Sequence, residues 1–389
     1  ILIYNHLCEK AQRPIIKSDR EPERSDVYVG AYVKEPIVGK HYWVASFDLV
    51  SLYPTIIRQV NIGPETKETV LSQECRDIKQ HVFTQDIING TADLSALKPY
   101  DLSMAGNKTF YTKNYKSFLS ELMEKFFDRR VVFKNKMKDA SKAGNKDEEK
   151  IYDIKQHATK ILINSAYGAV GNQHFQYYDV ENAEAVTLTG QVVIQWMEKR
   201  INEYLNRLLK TSNVDYVVYI DTDALYITLD ELVKQVIPGK DNLATTEFID
   251  RVCKTKLLPF ISESYKEYFE YMNNYQNLLV MNREIISDNA VWTGKKRYFM
   301  NVYDKEGKRF TDEPEIKVMG IEVVKSSTPQ VCRTKLKECL KIILRQSEDD
   351  LIKHVSTFKK EFFTLPAEKV AFPRSVNDLE KYSAPDAVG

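Results

Sequence analysis

Cysteine is scarce in this sequence and poorly placed for chemistry: Cys8, Cys75, Cys253, Cys332 and Cys339 are scattered, with no CxxC pair and no histidine at zinc-ligand spacing. A zinc ribbon and a disulfide framework are thereby excluded, and the thiols are expected to be reduced and packed, as in a cytosolic protein. Long apolar runs are lacking too, since none approaches the ~18 residues that span a bilayer. No charged segment followed by an apolar core opens the chain, so neither a signal peptide nor a membrane partner is expected. Net charge is all but absent, with 56 Lys+Arg against 55 Asp+Glu, and gives no argument for a polyanionic partner. Repeats and low-complexity tracts are missing. The first residue is Ile1 rather than Met, so a segment of a longer protein, or one product of a divided gene, is expected.

What is present is unevenly distributed. Basic residues are in excess over 113–160 and again over 295–341, while acidic residues punctuate the stretches around Asp48 and Asp221. A chain that grips a polyanion and holds divalent cations shows such segregation, and so does a solvated helix face. At 389 residues two or three domains fit. Residues 42–50 alternate, with Trp43, Ala45 and Phe47 on one face and Val44, Ser46 and Asp48 on the other, which predicts a strand ending in an aspartate. Pro54 then opens a helix. Helices are predicted over 117–137 and 152–167, joined by a polar turn over 140–150 and ending at Gly168, which makes a projecting helical hairpin. Further helices are expected over 183–209, 250–272 and 329–345, and strands over 216–220, 225–228, 297–303 and 316–322. This interleaving, without regular βαβ spacing, argues for an α+β fold.

Four segments carry candidate chemistry. Asp48 closes its strand, and Asp221-Thr222-Asp223 occupies a hairpin; residues two apart on a strand face the same way, so the three carboxylates can converge. Converging carboxylates repel unless a cation neutralises them, and hard oxygen donors favour Mg²⁺, one ion or two about 4 Å apart. Taken alone the D-x-D is weak, because Asp is a common turn residue. Arg130 and Lys134 stand i, i+4 on one helix, and Lys160, Asn164 and Tyr167 stand i, i+4, i+7 on the next. Two such rows can clamp a triphosphate, or can be ordinary solvated faces. Lys295-Lys296-Arg297-Tyr298 enters a strand with clustered charge that suits phosphate contacts and serves equally as edge-strand protection.

Read together and in order, these segments resemble the signature of the family B DNA polymerases. Asp48-Leu49-Val50-Ser51-Leu52-Tyr53-Pro54 is similar to the family's first motif, Lys160 to Gly168 (KILINSAYG) to its second, and Tyr219-Ile220-Asp221-Thr222-Asp223 to its third. Lys295 to Tyr298 resembles the KKRY element, and Tyr28-Val29-Gly30-Ala31 the upstream YxGG/A motif. The intervening GAYVKEPI, SLYPTIIRQVNIGPET, EYMNN and KVMGIEVVKSSTP are close to the T-even phage branch, and the likeness runs from about Asp26 to at least Leu344.

The resemblance implies a right-hand architecture: an antiparallel-sheet palm, a short helical-hairpin fingers domain and a partial helical thumb. Its expected divisions are 1–25 as a lead-in, 26–115 and 170–325 as palm, 116–169 as fingers and 326–389 as thumb. It implies template-directed DNA synthesis in phage replication. Asp48 and Asp223 would bridge two Mg²⁺ or Mn²⁺ ions, Asp221 would stand nearer the primer end, and the Leu49 backbone would complete the metal shell. Arg130, Lys134, Lys160 and Asn164 would hold the triphosphate, with Lys160 also protonating pyrophosphate. Ser51, Leu52 and Tyr53 would line the nucleotide, Tyr53 excluding a 2′-hydroxyl. Tyr167 and Gly168 would face the nascent base pair. Tyr28, Gly30, Lys295, Lys296, Arg297 and Tyr298 would contact DNA. The implied partners are primer-template DNA, deoxynucleoside triphosphates, and possible companion chains supplying an exonuclease or thumb together with replisome proteins, in the host cytoplasm.

The sequence departs from the family pattern at Ala224, where a serine is usual, at Ile220, where the T-even branch has glycine, and in a shorter finger hairpin. The preceding exonuclease domain and the remainder of the thumb are expected to lie outside the chain. A catalytically impaired DNA-binding remnant, one part of a split polymerase, and a two-metal nuclease are the competing readings. A nuclease has no use for the Tyr53 gate or for a triphosphate-facing helix.

Overall fold

Strand β1 (Gly39–Leu49) forms where apolar and polar residues alternate, and stops where Ser51 takes a left-handed conformation at φ 50°. The computed structural model to which it belongs describes residues 29–374. Helices α1 (Leu52–Val60), α2 (Gln73–His81) and α3 (Thr84–Asn89) follow, then the short strands β2 (Leu102–Met104) and β3 (Phe110–Thr112). Next come the long helices α4 (Phe118–Lys142), α5 (Lys146–Val170) and α6 (Val180–Leu209), and strands β4 (Val217–Asp221) and β5 (Ala224–Thr228). Helices α7 (Asp230–Val236), α8 (Asn242–Val252) and α9 (Leu258–Tyr271) precede strands β6 (Met281–Gly294), β7 (Arg297–Lys305), β8 (Lys308–Arg309) and β9 (Glu315–Met319). Helices α10 (Gln330–Arg345), α11 (Glu348–Phe362) and α12 (Ala367–Val370) complete the described chain. The mixed helix and antiparallel sheet agree with the α+β expectation.

The strand order is β4-β5-β1-β6-β7-β8, with β9 also pairing β7. The chain divides into two compact units. One takes in Phe47–Tyr226, Arg251–Arg283 and the described residues up to Val33; the other takes in Lys34–Ser46, Ile227–Asp250 and the described residues from Glu284. Among the described residues no helix is long and apolar enough to cross a membrane.

In the first unit α6 is the central core element, burying Ala183, Val186, Val192, Val193, Trp196, Met197 and Ile201. Trp196 adds a directional bond, donating from Nε1 to the Ser264 carbonyl at 3.1 Å. The β2-β3 turn approaches α6 so closely that a Cβ on Gly106 would sit 2.6 Å from the Leu188 carbonyl; only glycine fits there. Helix α4 is anchored by Asn61, which takes a left-handed conformation at the end of α1. Its Nδ2 donates to the Thr112 and Tyr115 carbonyls, both at 2.9 Å, and its Oδ1 accepts from the Ser117 amide at 2.8 Å. Ser117 then caps α4 by accepting from the Ser120 amide at 3.0 Å.

In the second unit β6 and β7 form a long antiparallel hairpin, Trp292 opposite Tyr298. Helix α10 closes a small core of Phe299, Val323, Leu340 and Leu344.

Several elements differ from expectation for physical reasons. The polar stretch 140–150 is mostly helix, because Asn145 caps α5 by accepting from the Glu148 amide and Asp147, Glu148 and Glu149 favour its positive end. Helix α5 runs past Gly168 to Val170. The helix expected over 250–272 begins earlier, at Asn242, and is interrupted by a π-helical turn at Cys253–Leu257. Strand β6 was hidden because its register shifts at Ile286/Ser287, Ser287/Asn289 and Trp292/Gly294 scramble the alternation a strand normally shows.

Replacing Asn61 with Ala strands the buried Thr112 carbonyl, the part-buried Tyr115 carbonyl and the buried Ser117 amide, so we expect a stability loss of about 3 kcal/mol. Urea denaturation checks this; an unchanged midpoint would show that the three bonds hold nothing together.

Candidate active site

The site in the first unit is built on one main-chain contact. The Leu49 amide donates to the Asp223 carbonyl at 3.0 Å, tying the end of β1 to the β4-β5 turn. Asp48 and Asp223 are thereby held on neighbouring segments. Two left-handed residues make this possible: Ser51 at φ 50° turns β1 into α1, and Thr222 at φ 62° forms the tight turn between Asp221 and Asp223. That turn also changes the sequence argument. Asp221 ends β4 while Asp223 lies in the turn, its amide donating to the Asp221 carbonyl at 2.7 Å, so simple strand alternation does not apply to the pair. Asp221 is instead bridged to Val33, and the Thr222 amide donates to the Tyr32 carbonyl at 3.0 Å.

All three aspartates are half-buried, whereas the Leu49 side chain is 1% exposed, which leaves only its main chain for coordination. Leu52 is buried and Ser51 half-buried. Among the described residues no group of three or more His, Cys, Asp or Glu side chains stands ready to hold a metal ion. The donor set that remains, Asp48 and Asp223 carboxylates with main-chain oxygen, is hard and anionic, and its chemistry fits Mg²⁺ or Mn²⁺.

Tyr53, in the first turn of α1, meets Tyr167 of α5 with ring centroids 4.6 Å apart and tilted by 42°. Helices α4 and α5 pack together as an antiparallel hairpin. Phe133 stacks on Tyr152, centroids 6.3 Å apart, with Lys155 Nζ 5.9 Å above the Phe133 ring. Phe133 and Tyr152 thus stand at one level of the hairpin, with Arg130 nearer its base and Lys134 nearer its tip. Lys134, Lys160, Asn164 and Gly168 are exposed and Tyr167 is half-buried. Arg130 is half-buried as well; burial lowers its guanidinium pKa from the ordinary value, and its Nε is enclosed without a hydrogen-bond partner. A buried guanidinium donor lacking an acceptor is suited to an incoming phosphate oxygen.

Gly30 is exposed and its carbonyl accepts from Gln191 Nε2 at 2.5 Å; Tyr28 lies outside the described residues. In the second unit the KKRY segment forms the β6-β7 turn, Lys296 at φ 58°. Its carbonyl would lie 2.0 Å from any Cβ on Gly320, so that glycine is obligatory. Lys295 pairs with Glu35 at 3.0 Å and Arg297 with Glu322 at 3.1 Å. Tyr298 is 4% exposed and stacks on Trp292 with centroids 5.5 Å apart, so its ring is a packing group and only the three cations face outward.

Sequence reasoning missed Gly190 and Gln191, adjacent on α6. A Cβ on Gly190 would meet Tyr53 Cε1 at 3.2 Å, and Gln191 holds Gly30. A lone glycine inside a long helical pattern costs about 1 kcal/mol against Ala, which was the available signal. Tyr32 was missed also: burial first, then the charges of Glu198 and Asp215, push its hydroxyl up to about 12.

Comparison with known proteins gives a consistent result. Residues 2–243 match the model for DNA polymerase family B. The chain is 34% identical to the DNA-directed DNA polymerase of Escherichia phage RB69, the alignment covering 98% of this chain and 47% of the relative. The DNA-directed DNA polymerase of Enterobacteria phage T4 shows the same identity and coverage, and a DNA polymerase of Pyrococcus glycovorans is 31% identical over 94% of this chain and 39% of its own. The chain thus spans about half the length of the phage relatives it matches.

The base of the helical hairpin is fastened to α1 by Glu124, which accepts from Lys116 and pairs with Arg58 at 3.4 Å. The Lys116 hydrogen bond, with the Lys116 and Arg58 charges, lowers the Glu124 pKa below its usual value. A depressed carboxylate contributes stability above its unfolded pKa of about 4.3 and loses it as pH falls through the folded pKa. Glu124→Gln should therefore melt below the parent at pH 7 and converge with it in acid. Partial exposure makes the gap shrink with salt. Melting curves across pH test this, and a gap of equal size at pH 7 and in acid would refute the pairing.

Proposed function

Because the chain belongs to DNA polymerase family B, we propose that it carries out template-directed nucleotidyl transfer from deoxynucleoside triphosphates to a primer 3′-hydroxyl, releasing pyrophosphate, in phage DNA replication in the host cytoplasm. The observation that carries this reading is the Leu49–Asp223 main-chain bond, which holds two motif aspartates on adjacent segments beside Tyr53 and the cationic hairpin. In this reading 26–115 and 170–325 form the palm, 116–169 the fingers and 326–389 part of a thumb, and primer-template DNA is the macromolecular ligand.

Family B polymerases depend on divalent metal, and two Mg²⁺ ions held by Asp48, Asp223 and the Leu49 backbone would supply activation of the 3′-hydroxyl and charge neutralisation on the leaving group. The chain's own residues do the rest. Asp48 and Asp223 concentrate negative charge where the reaction needs a cation, and Asp221 adds to that field near the primer end. Arg130 offers its unpartnered Nε to a phosphate oxygen, and partial burial strengthens such a contact. Lys134 and Asn164 add donors, and Lys160 donates to the departing pyrophosphate. Tyr53, half-buried at the head of α1 and packed on Tyr167, lies beneath the sugar and leaves no room for a 2′-hydroxyl. Tyr167 and Gly168 line the new base pair, while Gly30, Lys295, Lys296 and Arg297 meet the DNA backbone.

Primer extension with Mg²⁺ tests the assignment. Asp223→Ala should abolish deoxynucleotide incorporation, and extension that survives it would remove the proposed metal site. Tyr53→Ala should keep incorporation while raising ribonucleotide use roughly ten-fold or more; unchanged discrimination would end the gating role.

A further inference from the structure

We infer that Gly190 of α6 is a specificity-determining positioning residue, the wall that sets how far the Tyr53 ring stands toward the nucleotide sugar. The inference rests on the reading of Tyr53 as the sugar gate.

Gly190 lies in the interior of a 30-residue helix, where a glycine lowers stability by about 1 kcal/mol relative to Ala, so local helix propensity does not account for it. It does not adopt a left-handed conformation either, so backbone freedom is not the reason. What distinguishes the position is its surroundings. An alanine Cβ there would meet Tyr53 Cε1 at 3.2 Å, with Leu52 Cδ2 at 3.4 Å and Ile56 Cδ1 at 3.5 Å. The two aliphatic contacts are ordinary van der Waals distances, and only the aromatic edge is too close. Leu52 and Ile56 are 4% and 1% exposed, so α1 itself is locked and the ring is the part that can give. A methyl group at 190 must therefore push the Tyr53 edge away from α6 by a few tenths of an ångström.

A ring pushed from α6 also meets Tyr167, with centroids 4.6 Å apart. Tyr167 belongs to the motif face of α5, so a displaced Tyr53 disturbs both the floor under the sugar and the residue beside the base pair. Gly190 touches neither substrate nor reacting atoms and acts through Tyr53 alone. The buried face of α6, with Val186, Val192, Val193 and Trp196 in the core, fixes the helix and with it the position of the glycine against the ring.

The test is an equilibrium one that needs no turnover. The chain is bound to a primer-template ended by a dideoxynucleotide, and the concentration of dATP or ATP that half-stabilises the complex is read for the parent, Gly190→Ala, Tyr53→Ala and the double variant. Gly190→Ala should raise the dATP concentration roughly five-fold and change the dATP/ATP ratio. In the Tyr53→Ala background the same substitution should do nothing, because the atom it strikes is gone. Independent, additive effects of the two substitutions, or a Gly190→Ala chain that binds dATP and ATP like the parent, would overturn the inference. A Tyr53→Ala chain with unaltered dATP/ATP preference overturns the gate reading itself, which separates the two failures. Thermal melting accompanies each variant. Should Gly190→Ala fail to fold, Tyr53→Trp crowds the same gap from the other side and must weaken dATP binding; parental dATP binding by that variant would overturn the inference equally.

Discussion

The first unit depends on a single short junction, the 3.0 Å hydrogen bond from the Leu49 amide to the Asp223 carbonyl. A hydrogen bond of this kind contributes about 1 kcal/mol, so it does not act alone. Two motif aspartates stand on the segments it joins, and like charges on adjacent segments repel. The neighbouring structure holds them there regardless. Val50 bonds to Val280, Thr55 Oγ1 donates to the Val50 carbonyl, and the Thr222 amide is tied to Tyr32. The Thr222 hydroxyl also donates to the Asp221 carboxylate at 3.3 Å, so side chain and main chain are tied at the same turn.

Positive φ recurs inside the motif segments, as it does at several positions elsewhere in the chain. Ser51, Thr222 and Lys296 all adopt positive φ without being glycine, and each stands inside one of the motif segments. Such conformations cost on the order of 1 kcal/mol apiece and persist only where the surroundings fix them. At Ser51 the surroundings are the buried start of α1, with Leu52, Pro54, Thr55, Ile56 and Ile57 all inside the core. At Thr222 they are the amide bond to Tyr32 and the Val33–Asp221 bridge. The buried α1 residues and the Tyr32 tie thus oppose the strain that aims Asp48 and Asp223.

How much of this could be read from the sequence varied with the range of the forces involved. Asp48 at a strand end, Pro54 in the first helical turn and the β4-β5 hairpin follow from local periodicity and turn chemistry, and the structure has them all. The antiparallel hairpin of α4 and α5 was legible, yet its loop was placed too generously because a charged, glycine-containing stretch looks like a turn until Asn145 is recognised as a cap. Strand β6 was illegible since bulges destroy the period on which recognition relies. The resemblance places Tyr298 at the DNA, and its burial against Trp292 depends on a partner in the neighbouring strand that no local pattern reveals. Arg130, Lys134, Lys160 and Asn164 could be assigned to helix faces from spacing, whereas the half-burial of Arg130 arises from tertiary packing.

The residues that organise the site from behind were the least legible, and α6 shows why. Thr189, Gly190 and Gln191 are consecutive, so on a helix they point in directions about 100° apart and together sweep more than half its circumference. Each serves a different neighbour. Thr189 Oγ1 accepts from the Gly106 amide at 2.8 Å, Gly190 faces the Tyr53 edge, and Gln191 donates to Gly30. A helix with partners on several sides loses the one-faced stripe by which amphipathic helices are recognised. In sequence the Thr-Gly-Gln triplet reads only as a weak point in an otherwise good helix. Gly190 lets the first turn of α1 approach the backbone closely, while the Thr189 hydroxyl and the Gln191 amide reach the β2-β3 turn and Gly30, and a single rigid rod can then hold three separate loops of the site in register.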